Sequence, residues 1–256
     1  MAARIHVCAA RATRSRGRRW CVAALASAAM LMLGCQGIHV NPESVAEVRV
    51  IAASPDAGTM DFYAGGTALA YSVDFGSAST YVPLPAGSVR LSANTANTNQ
   101  MLVGANAGLV PGRQYTAVVT NVAASLQETI YADESTPAPE GDVAVRVIDA
   151  ATRVGSLDVY MVPAGGKLGP TSAMRAGVGF GSATGYMLLP TGTYSLVVLP
   201  AGTAPTNQAL PLLTAPQTTY VAGEARTVVL VDHPGAETQG VDEIVANDYE
   251  PAVPGQ

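Results

Sequence analysis

The chain has almost no thiol chemistry available to it. Of its three cysteines, Cys8 and Cys21 fall in the first 34 residues, so a chain beginning at Cys35 holds one thiol and no disulfide. Its single tryptophan, Trp20, lies in the same opening segment, and Lys167 is the only lysine. Of the 14 Lys and Arg residues, six precede residue 35, leaving eight against 19 Asp and Glu, a net charge near −11. A balance that acidic argues against nucleic acid, which is gripped by neutralising phosphates, and against a polybasic hold on anionic lipid. Histidines are scarce too: past residue 35 there are only His39 and His233. No Cys-x-x-Cys or His-Glu-x-x-His spacing exists, so no His/Cys metal centre is expected.

The first twenty residues carry Arg4, Arg11, Arg14, Arg16, Arg18 and Arg19 and no acid. An apolar run over 22–33 follows. It is short for a bilayer span, which takes about twenty residues, and suits a secretory signal core. The run ends Leu31-Met32-Leu33-Gly34-Cys35, which resembles the bacterial lipobox. That resemblance implies a signal peptide over 1–34, cleavage after Gly34, a diacylglyceryl thioether on Cys35 and an N-acyl chain of the palmitate kind. Several acyl chains give a stable anchor where one gives a marginal one. Gln36 after the cysteine points to the outer membrane, on its periplasmic face or at the cell surface. Residues 35–45 then read as a tether.

Past the tether an internal repeat organises the chain. Val48-Arg49-Val50-Ile51 returns unchanged as Val145-Arg146-Val147-Ile148, and Asp61-Phe62-Tyr63 as Asp158-Val159-Tyr160. Residues 73–91 match 178–196 at 10 of 19 positions, with the offset grown from 97 to 105. The second copy therefore carries eight extra residues after Tyr160. Tyr115 and Tyr220 also correspond, as do Tyr81 with Tyr186 and Phe75 with Phe180. Apolar residues alternate with period two, as in Val48, Val50 and Ala52, the pattern of half-buried antiparallel strands. Leu84-Pro85-Ala86-Gly87 and Leu189-Pro190-Thr191-Gly192 predict a hairpin turn in each copy. The spacing of turn signals predicts an all-β protein of two tandem Ig-like antiparallel β-sandwiches, over 46–136 and 142–234, with a small barrel as the other architecture. The phenylalanines are expected in the two cores. A short Pro-bearing linker joins the units, and the acidic tail over 235–256 reads as disordered.

The run VRVIAASPDAGTMDFY, followed by FGSASTYVPLPAGSVRL, resembles the bacterial family called domain of unknown function 4397, and 142–234 resembles it more loosely. The resemblance implies an exported β-rich protein, often surface-associated, and supplies no activity. The family's histidine falls at Ala52 in the first copy and at Asp149 in the second.

Nucleophilic catalysis needs a base set against a nucleophile, and His39 and His233 sit outside any strand-and-loop constellation. Asp61 and Asp158 hold equivalent strand positions. A carboxylate pair across a cleft could act on a glycosidic bond, but duplicated strand-end aspartates more often accept hydrogen bonds from turn amides. Asp56 and Asp61 are close enough in sequence to raise calcium, although no run of alternating Asp/Asn ligands accompanies them. Gly177-Val178-Gly179-Phe180-Gly181 lacks the Lys-Ser/Thr and helix of a phosphate loop and reads as a loop entering a strand. No catalytic, cofactor or metal residue is assigned. The expectation is a non-enzymatic, lipid-anchored envelope protein that binds a protein or glycan partner or serves structurally. The alternative is a glycan-binding or hydrolytic lipoprotein with its site between the domains.

Overall fold

The computed structural model describes residues 44–233 and 240–251. The proposed signal segment, Cys35 and His39 lie outside them. Strands build both repeats. The first contains β1 (Val45–Ala52), β2 (Met60–Ala64), β3 (Thr67–Val73), β4 (Ser77–Ala78), β5 (Val82–Pro85), β6 (Gly87–Thr95), β7 (Met101–Leu109), β8 (Gln114–Thr120) and β9 (Gln127–Ala132). The second contains β10 (Asp142–Asp149), β11 (Leu157–Pro163), β12 (Arg175–Val178), β13 (Met187–Pro190), β14 (Gly192–Pro200), β15 (Leu213–Thr214), β16 (Thr218–Tyr220), β17 (Ala225–Asp232) and β18 (Val241–Tyr249).

Each repeat is a β-sandwich, and the two share one topology. In the first, the inner sheet runs β4/β5-β1-β8-β9 and the outer sheet β3-β2-β6-β7. In the second, the inner sheet runs β13-β10-β17-β18 and the outer β12-β11-β14, with β15 and β16 both on β14. Alternate residues of the facing sheets fill a core in each: Val48, Val50, Phe62, Leu91 and Val119 in the first, Val145, Val147, Leu157, Val198 and Leu230 in the second. Pairing is antiparallel except for β1 with β8 and β10 with β17, which are parallel. Between those partners the chain passes through the outer sheet and returns in its original direction, which a hairpin cannot do.

Four features depart from the sequence expectation. First, the inner strands are buried on both faces, because the two inner sheets pack on one another through Ile51, Val118, Ile148, Val229, Val231 and Ile244. Val50, Ile51 and Ala52 are all inaccessible to solvent, so the period-two reading of that strand saw only one of its two apolar environments. Second, the Leu-Pro-x-Gly segments are not hairpins. β5 pairs with β1 while β6 pairs with β2 and β7, so the turn carries the chain from the inner sheet to the outer. The Ala86 amide donates to the Ser44 carbonyl, and Thr191 to Gly141 in the second copy. Third, the acidic tail is ordered over 241–249, where β18 pairs along the whole of β17. Val241, Ile244 and Ala246 are buried, while Asp248 pairs with Arg49 and Asp242 lies against the His233 ring, so part of the charge that suggested disorder is engaged in the fold. Fourth, Phe75 packs only partly into the layer between the sandwiches, and Phe180 is 38% exposed. Near Phe180 it is Tyr131 of the first repeat that enters the layer, its hydroxyl donating to the Gly181 carbonyl at 3.4 Å.

Candidate functional site

Polar side chains concentrate in two places: the layer between the sandwiches and the loop ends of the outer sheets. In the layer, the repeated Val-Arg-Val-Ile puts an arginine on an apolar strand. Arg49 reaches the Asp248 carboxylate at the end of β18 and the Asn247 carbonyl, while its Nε donates to Thr116 Oγ1 at 2.8 Å. Arg146 does the same in the opposite sense, binding Asp133 just past β9, the Ala132 carbonyl and Thr227 Oγ1. Each aspartate is held by its own repeat as well. Thr116 and Tyr81 donate to Asp133 at 2.6 and 2.8 Å, and Thr227 and Tyr186 donate to Asp248 at 2.7 Å each. The guanidinium of Arg49 lies 4.7 Å from the Tyr81 ring and that of Arg146 4.8 Å from Tyr186. Burial pushes both tyrosine hydroxyls well up, with Arg49 and Arg146 respectively opposing it, so both stay protonated donors. Every charge here is matched across the interface. A buried pair with full hydrogen-bonding fixes geometry more than it adds stability.

Asp61 and Asp158 are buried and far from this layer. Asp61 accepts the Ser72 and Asn97 amides, and Asp158 accepts those of Gly177 and Gly202, all four at 2.8 Å. The four donors share a left-handed backbone, with φ of 51°, 59°, 67° and 79° in that order. Each aspartate thus clamps one tight turn, at Asn97 or Gly202, and one irregular strand position, Ser72 of β3 or Gly177 of β12, and the two carboxylates do not form a pair. Gly177, first of the Gly-rich run, serves the clamp through its amide.

The remaining candidates separate. Asp56 accepts the Ala123 amide, so it is engaged away from Asp61. His233 Nδ1 lies 2.9 Å from Asp242 at the surface. Among the described residues no group of three or more His, Cys, Asp or Glu could hold a metal ion. Asp149, where the family resemblance places a histidine, is wholly buried beside Asp232. One oxygen accepts the Ala151 amide and the other has no partner. Burial, reinforced by Asp232 and opposed by that amide, pushes Asp149 up to about 7.

Open grooves lie among the described residues. One, about 450 Å³, runs beside Arg49, Tyr81 and Asp248, and another, about 420 Å³, beside Phe75, Leu213 and Glu243. A third, about 460 Å³, lies on the outer sheet of the second repeat. On the outer sheet of the first repeat, Tyr63 and Tyr71 meet edge to face at 6.0 Å, and Tyr71 is 65% exposed.

Residues 46–160 match the family model described as "Domain of unknown function (DUF4397)". The match spans the first sandwich and enters the second as far as β11. No curated protein matches the chain. Among solved structures, a streptococcal virulence factor that binds alpha-glucan is 12% identical, covering 72% of this chain and 91% of its own, with a TM-score of 0.24. A CBM26 module of Eubacterium rectale Amy13K, in complex with maltoheptaose, is 12% identical over 81% of this chain and 98% of its own, also at 0.24. The Bacillus anthracis TIE protein is 11% identical over 80% of this chain and 44% of its own, at 0.22. At those scores no ligand transfers to this chain.

The interface arginines are marked in the sequence as a charge inside an apolar tetrapeptide repeated without change. Their acidic partners had no such mark, because both stand just where a strand stops.

Proposed function

We propose that this chain is a non-enzymatic binding protein of the cell envelope, anchored through lipid on Cys35 and displaying two β-sandwiches locked as one body. The observation that carries the reading is the engagement of its best-placed charged groups in architecture. Asp61 and Asp158 each accept two backbone amides, and Arg49, Arg146, Asp133 and Asp248 bind one another across the layer. What faces solvent is recognition chemistry: open grooves and a sheet face with exposed rings.

Cells expressing wild type or Cys35→Ala, treated with globomycin and analysed by N-terminal mass spectrometry, test the anchor. Lipoprotein-type cleavage and acylation should vanish in the variant; membrane retention without Cys35 overturns it. Cross-linking and pull-down from intact cells tests the binding role. Glycan turnover by wild type that disappears in Asp61→Asn or Asp158→Asn overturns the non-enzymatic reading.

A glycan is the second reading for the partner. The Tyr63–Tyr71 pair favours it, because sugars stack on aromatic faces, and Ser92 and Asn94 lie beside it on β6 with side chains unpartnered among the described residues. Retardation in polysaccharide affinity gels that Tyr71→Ala abolishes would support it.

A further inference from the structure

The two outer sheets began as copies and have diverged at one face. In the first repeat β2 turns tightly into β3, and the outer face of β6 carries Ser92 and Asn94. In the second, the equivalent positions on β14 are Val197 and Leu199, which with Tyr160 and Val162 form an apolar cluster. The extra residues between β11 and β12 rise over it and contribute Leu168, and the loop from β14 to β15 contributes Ala209 from the other side. Asn207 Oδ1 accepts the Gly169 amide at 3.4 Å and ties the two loops together. The groove of about 460 Å³ lies between these walls.

Its electrostatics differ from the rest of the protein. No acidic residue lines it, whereas Asp248 and Glu250 line the groove beside Arg49, and Asp242 and Glu243 the groove beside Phe75. Lys167, the only lysine in the sequence, lines it and is exposed, with no acidic partner for its ammonium among the described residues. Neutral hydrogen-bonding groups on Asn207, Thr214 and Gln217 surround an aliphatic floor. A lone cation at the edge of an apolar trough, in a strongly acidic protein, is complementary to one kind of occupant.

We propose that this groove binds a ligand carrying a carboxylate beside a compact apolar face, with Lys167 holding the carboxylate and Val162, Leu168 and Val197 the apolar face. A short acyl carboxylate and a uronic-acid sugar share that chemistry. The inference rests on the binding reading and adds to it the site and the ligand class.

The full chain in phosphatidylcholine nanodiscs, with empty nanodiscs as blank, is titrated with hexanoate and separately with trigalacturonate. Each is paired with its neutral counterpart, hexanamide or the methyl ester, and followed by saturation-transfer NMR. One carboxylate should saturate and its neutral counterpart should not, which also decides between the two sources. Lys167→Gln should weaken binding about tenfold, as loss of a charge-assisted hydrogen bond does. Lys167→Arg should restore it, and Arg175→Gln, which alters a cation outside the groove, should leave it unchanged. Saturation by neither carboxylate, equal binding of a neutral counterpart, or unaltered binding to Lys167→Gln overturns the proposal. If intact cells still yield a cross-linked partner in that case, the groove inference has failed and the binding reading has not.

Discussion

Arg49 and Asp248 stand 199 positions apart in the chain and close on each other with both side chains shielded from solvent. Arg146 and Asp133 repeat the contact with the roles of the two sandwiches exchanged.

Removing one member of such a pair leaves a buried charge uncompensated. Asp248→Leu or Arg49→Met alone should cost about 3–5 kcal/mol in urea unfolding. The double variant Arg49→Met with Asp248→Leu should lose clearly less than the sum of the two, because neither charge is stranded. Strict additivity in that cycle would mean the pair is not coupled.

Deleting residues 241–256 should be far more harmful than trimming a loose tail. It strips β17 of one of its two partner strands and Arg49 of its carboxylate. The shortened chain should aggregate or lose its cooperative urea transition, and a native-like circular dichroism melt would contradict this. A second repeat expressed alone must accordingly run through Tyr249 rather than stop near residue 234.

Much of this architecture was legible in the residues, and the failures share a cause. The duplication, the strand-rich fold and the amide-bound aspartates could be read because each depends on local pattern. The order of β18, the double-sided burial of Ile51 and the exposure of Phe180 could not, since each depends on the second sandwich lying against the first. The alternation in Val48, Val50 and Ala52 locates one buried face; nothing in that strand announces that Ile51 has another. Of the groove only the eight-residue insertion shows in the sequence; the apolar cluster beneath it depends on β11 and β14 lying side by side.

The aspartate clamps differ between repeats in a way that predicts a gain. Ser72 holds a left-handed backbone, which costs a non-glycine residue roughly 1 kcal/mol, whereas Gly177 does not suffer that cost. Ser72→Gly should raise the thermal midpoint slightly. Asp61→Asn should lower stability by about 1–3 kcal/mol, because the buried side chain then turns an NH2 group toward one of the two amides it holds. A neutral outcome for Asp61→Asn would show that the clamp is dispensable.

Acid should help this protein over part of the pH range. Asp149 titrates near 7 in the folded chain against an ordinary value of 3.8, so its favourable contribution is complete below about pH 4 and is lost as pH rises through 7. Glu128, also pushed up to about 7 by burial against the opposing Ala105 amide and Arg90, acts in the same direction. Asp149→Asn should flatten the profile, raising stability at pH 8 by on the order of 2–4 kcal/mol and changing little at pH 4. Equal effects at both pH values in urea melts would rule Asp149 out as the source.

The pairing of Arg49 with Asp248 also sets an order of events as the chain emerges into the compartment where it folds. There β1 arrives early and β18 after every other described strand, so the first sandwich can complete both of its sheets while Arg49 still lacks a counter-ion. The layer between the sandwiches cannot seal until the last strand arrives. Contacts that far apart in sequence are slow to form. An interrupted translation product would therefore carry a finished first half beside an unsealed apolar sheet, a recognisable substrate for quality-control proteases.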